Sequence, residues 1–205
     1  MKNYKKNLKT LQDGHVYSKE MEHDACGVGL IASTEGKKSR KVVEYGINAL
    51  KAVWHRGAVD ADGKTGDGAG IHLEIPSNFF AEKIDLTGHK HDDSEICVGM
   101  IFLPRNNYAA QENSRTLVES ELTKSNFSIY GWRQVPVNPK VLGEKANFTR
   151  PEITQVLFKH NNKNLIGKDL ERKIYESRRK IEKEAIKKSI EGFYICSLSS
   201  KSIIY

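Results

Sequence analysis

Ala25-Cys26-Gly27-Val28-Gly29-Leu30-Ile31-Ala32 divides the chain into two textures. Ahead of it lie 25 polar, lysine-rich residues with no sustained apolar period. From Cys26 onward Val28, Leu30 and Ala32 alternate with Gly29 and Ile31, the pattern of a short strand over 26–33. A thiol on the first residue of a buried strand has two readings. In one, Cys26 is a small buried hydrophobe, as most free cysteines are. In the other, residues 1–25 are a leader that is removed, and Cys26 then carries a free α-amino group beside its thiol. That amine, with an ordinary pKa of about 7.7–8, can act as a base near neutral pH.

The bulk numbers narrow the classes. At 205 residues the chain can form one large domain or two small ones. Charged residues make up 29%, above the globular average of about 25%. The formal net charge of +7 comes mostly from lysine, densest near residues 1–9 and 168–188. These basic residues are mixed with glutamate and lack interleaved aromatics, so they read as solvated faces and not as a nucleic-acid surface. No run of 18 apolar residues suggests a membrane span, and the basic N-terminus has no apolar segment of the secretory kind. Three widely spaced cysteines without a Cys-x-x-Cys pair argue against a disulfide framework or zinc site and for a reducing, cytoplasmic setting.

Farther along, Val42, Val43, Gly46, Ile47, Leu50, Val53 and Trp54 share one stripe of a helix over 39–54. Gly46 costs about 1 kcal/mol there relative to alanine, which marks close packing. Residues 55–70 hold five glycines and cannot be a regular element. Strands are expected over 71–75, 96–103, 128–137, 152–159, 192–198 and 201–205. Helices are expected over 77–84, with Ser77 as cap, over 107–124, and over 168–189 with Leu170, Ile174, Ile181 and Ile186 on its apolar side. Residues 138–151 read as irregular. Cys97 and Cys196 fall in apolar strands and read as core. No domain linker is evident.

Gly63-Lys64-Thr65 invites a phosphate-loop reading that fails on spacing. The pattern needs glycine at position 58, which is Ala58, and a strand rather than a helix follows. Gly66-x-Gly68-x-Gly70 fails the dinucleotide pattern for the same reason.

Taken together, Cys26-Gly-Val-Gly-Leu-Ile-Ala, His55-Arg56-Gly57-Ala58, Asp62-Gly-Lys-Thr-Gly-Asp-Gly-Ala-Gly70 and the pair Phe193–Ser199 with Lys201–Tyr205 closely resemble the start of the glutamate synthase large subunit. In that family this region is the glutaminase domain, a class II glutamine amidotransferase of the N-terminal-nucleophile hydrolase type. The resemblance covers residues 26–205. It implies an α+β fold, part of a four-layer αββα sandwich, behind a leader over 1–25. It implies that Cys26 attacks the side-chain amide of glutamine, that Arg56 and Gly27 line the glutamine site, and that Asp67 and the loop glycines shape its wall. Arg56 as an ordinary surface ion pair remains open beside this. No metal and no cofactor is implied within this chain; FMN and an iron–sulfur cluster belong to the parent enzyme.

The implied partners are glutamine, the remainder of the large subunit, and a small subunit or ferredoxin, with neither nucleic acid nor membrane. The ammonia would serve 2-oxoglutarate amination in nitrogen assimilation. The family also supplies a His-x-Arg-Phe-Ser-Thr segment and an Asn-Gly oxyanion pair, neither of which occurs in these 205 residues. The expectation is therefore a front portion of the catalytic domain. A class II amidotransferase for another acceptor, or a non-catalytic fragment that binds a partner, are the alternatives.

Overall fold

A computed structural model of the chain describes residues 6–7, 9–10, 13, 27–53, 59–66, 68–92 and 94–205. The order of elements among them is α1 (Arg40–Ala52), β1 (His72–Glu74), α2 (Ser77–Asp85), β2 (Cys97–Leu103), α3 (Tyr108–Lys124), β3 (Phe127–Gln134), a 3₁₀ turn (Pro139–Val141), α4 (Glu144–Thr149), β4 (Glu152–His160), α5 (Gly167–Lys187), β5 (Tyr194–Ser199) and β6 (Ser202–Ile204). The architecture is α+β, with two antiparallel sheets: a four-stranded one in the order β3-β4-β2-β5 and a two-stranded one of β1 and β6.

β2 explains the larger sheet. Its run Cys97-Val-Gly-Met-Ile-Phe-Leu103 is apolar without alternation. Antiparallel strands read this way only when both faces are covered. Cys97, Ile101 and Leu103 join Val156 and Phe158 of β4 beneath α3 and α5, where Leu117, Leu122, Leu170, Ile174 and Ile181 close the core. Val98 and Met100 turn to the opposite face, against Ile75, Phe80 and Ile84 of the α2 region and Ile203 of β6. α5 buries Leu170, Ile174, Ser177, Ile181 and Ala185. These fall at the three-and-four spacing of one helical stripe. Each buried isoleucine or leucine contributes about 1.5–3 kcal/mol of transfer free energy. Asn107 caps α3 through Ala110, at 3.0 Å, as its position just ahead of the helix suggests.

Several expectations need correction. Residues 27–33 form no strand, and Val28 and Leu30 are 91% and 89% exposed. A strand exists only where a neighbour takes its backbone hydrogen bonds, and no described segment pairs with this one. Ser77 is the first helical residue of α2, whose cap position is Pro76 and has no side-chain cap bond. Ile186 is 79% exposed, because the stripe of α5 shifts to Ala185 in the last turns. Residues 138–151 hold a 3₁₀ turn and the helix α4. Cys196 is only partly buried, whereas Cys97 is fully so. The described residues within 1–25, namely Lys6, Asn7, Lys9, Thr10 and Asp13, are helical where little fixed structure was expected.

The packing at Gly46 is as expected. A Cβ on Gly46 would sit 3.2 Å from Ile71 Cδ1, so α1 lies close against the lead-in to β1. α1 itself spans the expected helix and is capped by Ser39, which accepts from Lys41 N–H at 3.2 Å. No described helix is long and apolar enough to cross a membrane.

Candidate functional site

The glycine-rich segment is described from Val59 to Gly66 and from Gly68 to Gly70. Its core is a tight loop closed by an antiparallel bridge between Val59 and Gly66. Asp60 N–H donates to Thr65 C=O at 2.7 Å, and Gly63 N–H donates to Asp60 C=O at 2.9 Å. Gly63 has φ of +69°, the left-handed conformation that this turn demands and glycine adopts freely.

Asp62 organises the loop. Its carboxylate accepts from Lys64 N–H at 2.9 Å, Thr65 N–H at 2.7 Å and Thr65 Oγ1 at 2.5 Å. These donors, the Thr65 hydroxyl foremost, hold the Asp62 carboxyl well below the usual carboxylate range. The Lys64 and Thr65 amides that a phosphate loop would turn toward a nucleotide are thus already taken by an internal carboxylate. This supplies a physical reason, beside spacing, against phosphate binding.

The loop rests on the segment that leads into α4. Thr65 Oγ1 accepts from Ala146 N–H at 3.4 Å. Asp60 pairs with Lys145 at 2.6 Å, and this contact lowers the Asp60 pKa and raises that of Lys145. Gly143 is buried against the loop: a Cβ there would overlap Thr65 Oγ1 and Asp62 Oδ2 and lie 2.6 Å from Thr65 N. Downstream, Ile71 exchanges both backbone bonds with Tyr205, at 2.8 and 2.9 Å. Gly70 lets Tyr205 C=O approach to 3.0 Å of where a Cβ would stand. The loop is therefore fastened at one side to the lead-in of α4, and the segment that follows it is fastened at Ile71 to Tyr205, just past β6.

Of the site residues expected from sequence, Cys26, Arg56 and Asp67 lie outside the described residues, as does Trp54. Gly27 is described; it is exposed and in no regular element. Elsewhere, an open cavity of about 530 Å³ beside β3 is lined by His89, Lys90, Phe127, Tyr130 and Lys159 among others. It contains none of the expected site residues, and its Lys159 is already paired with Asp92 at 2.7 Å. From sequence this stretch reads only as an irregular glycine-rich segment; Asp62 just ahead of Gly63 is the Asx-type turn signal that could have found the Asp62–Thr65 turn. Its partner Gly143 has no such signal, being distant in sequence.

Comparison with known proteins sets this loop in context. Residues 26–205 match the family described as glutamine amidotransferases class-II. The chain belongs to the class-II glutamine amidotransferases. Over 202 residues this amidotransferase chain is 53% identical to the glutamate synthase [NADPH] large chain of Azospirillum brasilense, covering 98% of the chain and 13% of that protein. It is 39% identical to the ferredoxin-dependent glutamate synthase of Pyropia yezoensis, covering 91% of the chain and 12% of that protein. With ferredoxin-dependent glutamate synthase 2 of a Synechocystis strain it shares 38% identity, covering 90% of the chain and 12% of that protein. The amidotransferase chain thus spans about an eighth of the length of the curated relatives it matches.

Proposed function

We propose that this chain carries the nucleophile-bearing part of the glutaminase domain of a glutamate synthase, with residues 1–25 as a leader ahead of a domain that starts at Cys26. The observation that carries this reading is the family match, which begins at residue 26, together with 53% identity to a glutamate synthase large chain. The Cys26 thiolate attacks the side-chain carbonyl carbon of glutamine. The C–N bond then breaks, ammonia leaves with a proton delivered by the α-amino group, and a glutamyl thioester remains. Water attacks the thioester, the C–S bond breaks, and glutamate and the thiol are regenerated. While Cys26 is preceded by Ala25 its nitrogen is an amide and cannot carry that proton, so cleavage after residue 25 is an activating step.

In this reading Arg56 holds a carboxylate of the substrate by paired hydrogen bonds, and Gly27 and Asp67 shape the site. The His-x-Arg-Phe-Ser-Thr and Asn-Gly segments come from elsewhere in the whole protein. The ammonia passes to 2-oxoglutarate amination there, and the electron donor is a small subunit or ferredoxin. FMN and the iron–sulfur cluster belong to other parts of the enzyme. The proposed setting is the cytoplasm. The full fold of the domain in this reading is an αββα sandwich; α3 and α5 on one face of the four-stranded sheet and Ile203 of β6 on the other support it.

The test is glutamine hydrolysis by the whole protein that contains this chain, with Cys26→Ala as control and intact mass to read the N-terminus. Ammonia release that is lost in Cys26→Ala, from protein that begins at Cys26, is the expected result. Undiminished release in Cys26→Ala, or full activity with residues 1–25 retained, overturns it.

A further inference from the structure

We propose that the free edge of β3 is a docking site for an extended segment of the same polypeptide outside these 205 residues, one that carries carboxylates at every second position. β3 ends the four-stranded sheet in the order β3-β4-β2-β5, and no described segment pairs with its outer side. Which backbone groups lie on that side follows from the register. Asn126 C=O accepts from Asn161 N–H at 3.0 Å, and Val135 N–H donates to Ile153 C=O at 3.0 Å. Residues that bond to the partner strand alternate in an antiparallel ladder. Ser128, Gly131 and Arg133, opposite Lys159, Leu157 and Gln155, therefore face β4. The N–H and C=O groups of Phe127, Ile129, Trp132 and Gln134 point off the edge.

Exposed edges are usually blunted by proline, by lysine or by a very short strand. β3 has eight residues, with neither proline nor lysine, and carries Phe127, Ile129, Tyr130 and Trp132. Its one irregularity, between Ile129 and Gly131, turns Tyr130 into the core beneath Lys159, whose Nζ stands 5.4 Å from the ring centre. The open cavity of about 530 Å³ lies along this edge. Glu119 and Thr123 of α3 form one wall, His89, Lys90 and Lys159 the other, and Phe127–Tyr130 lies between them.

A strand added here sends successive side chains to opposite walls. On the second wall Lys159 and Lys163 share the carboxylate of Asp92, at 2.7 and 3.1 Å, and Lys90 has no carboxylate partner among the described residues. That surplus of positive charge selects carboxylates at the positions that face it. A second copy of β3 fits poorly, because two such edges would bring Lys90, Lys159 and Arg133 of both copies together. The chain spans about an eighth of the length of its curated relatives, so most of a protein of that size lies outside it. A tethered segment is presented at high effective concentration, which suits a strand pairing too short to hold a free peptide.

The test uses the whole protein that contains this chain. It reads amide-resolved hydrogen exchange along β3, and carbodiimide crosslinking of lysine to carboxylate followed by peptide mass. With the edge occupied, the outward amides of Phe127 and Ile129 should exchange as slowly as the inward amide of Ser128, within about tenfold. A crosslink should join Lys90 to a peptide outside residues 1–205 that has acidic residues at alternate positions. Lys90→Glu, a change at an exposed loop position, should speed exchange at Phe127 and Ile129 by about tenfold and leave Ser128 unchanged.

Fast exchange at Phe127 and Ile129 beside a protected Ser128 overturns the docking. Crosslinks from Lys90 that are absent, that stay within residues 1–205, that join two copies in an isotope-mixed sample or that reach a separate protein overturn the choice of occupant. Unchanged exchange in Lys90→Glu overturns the match of charge. None of these measurements uses glutamine, so the glutaminase reading stands or falls separately.

Discussion

Gly99→Ala is expected to destabilise the fold by about 1–2 kcal/mol, although it adds a single methyl to a strand. Gly99 is the third residue of β2 and pairs with Val156 on one side and Leu198 on the other. A Cβ there would lie 2.6 Å from Leu198 Cδ1 and 2.7 Å from Val156 Cγ1, where ordinary contact begins at 3.4 Å. Both methyls must withdraw by several tenths of an ångström. Leu198, at 8% exposure, has some room. Val156 is fully buried, and its branched Cβ leaves it few rotamers. Overpacking of this kind costs about 1–3 kcal/mol. The loss of unfolded-state freedom on replacing glycine offsets about 0.4–1 kcal/mol of that. The net figure corresponds to a fall in Tm of about 2–8 °C for a chain of this size. Urea unfolding followed by circular dichroism should show a lower midpoint at unchanged slope. Val156→Ala in the same chain makes room for the new methyl, so the double variant should be less damaged than the sum of the singles by at least about 0.5 kcal/mol. A Gly99→Ala protein as stable as wild type, or strict additivity in the double variant, would refute the packing argument.

Two further outcomes follow from buried and paired groups. Cys97 is fully buried, and desolvation first, then the charges of Glu171 and Glu95, pushes its thiol pKa far up. With the thiolate so disfavoured, iodoacetamide should leave Cys97 unlabelled in the native protein and label it after denaturation; native labelling as fast as that of the partly buried Cys196, read by peptide mass, would contradict this. Asp92 bonds to Lys159 at 2.7 Å and Lys163 at 3.1 Å, and the Lys159 contact foremost holds its carboxyl far below the usual range. A depressed folded-state pKa gives stability that is fully present above the unfolded value, near 3.9, and is lost as pH falls below it. Asp92→Asn should therefore cost about 1 kcal/mol near pH 6, the scale of a half-shielded ion-pair cluster. The gap to wild type should shrink steadily in unfolding titrations below about pH 4, and a constant gap would count against the ionic account.

What the sequence disclosed depended on whether the cause was local. α1 and α3 follow from apolar residues and caps local to them, with Ser39 and Asn107 at the predicted helix starts, and α5 follows from its apolar stripe alone. β2 was legible because both of its faces are buried, which leaves an unbroken apolar run. Val28, Leu30 and Ala32 misled because alternation reports only a capacity to form a strand. The strand itself needs an edge to pair with, and none of the described residues offers one. Ile186 misled by one position, since a long helix drifts around its own stripe and Ala185 takes the inward place. Within the candidate site, the Asp62–Thr65 turn had a signal in its residue types, Asp62 just ahead of Gly63, inside a stretch that reads only as irregular and glycine-rich. The Gly143–Ala146 segment against it had none, because a glycine needed for space in an extended conformation looks like any loop glycine. The family motifs made Cys26 and Arg56 the natural candidates, through resemblance and not through any local texture of their own.

The distribution of packing bears on how such a site is kept in register. The four-stranded sheet with α3 and α5 forms a continuous core in which Ile101, Phe158, Ile174 and Ile181 are fully buried. That half carries the stability of the fold. The described motif-bearing half is different: α1 buries no residue completely, and Gly27–Leu30 are exposed. Its attachments are few and discrete. Among the described residues they include the Gly46–Ile71 contact, the paired bonds between Ile71 and Tyr205, the Lys38–Glu74 ion pair at 2.8 Å, the Asp60–Lys145 pair at 2.6 Å, and the packing of Gly143 against Asp62 and Thr65. Segments with few buried contacts open locally at a fraction of the global unfolding free energy. Discrete polar and steric ties then decide where the loop stands, because no core does so. On this argument a change at Gly143 shows in amide exchange at Lys64 and Thr65 long before it shows in the melting temperature, whereas a change at Gly99 behaves in the opposite way.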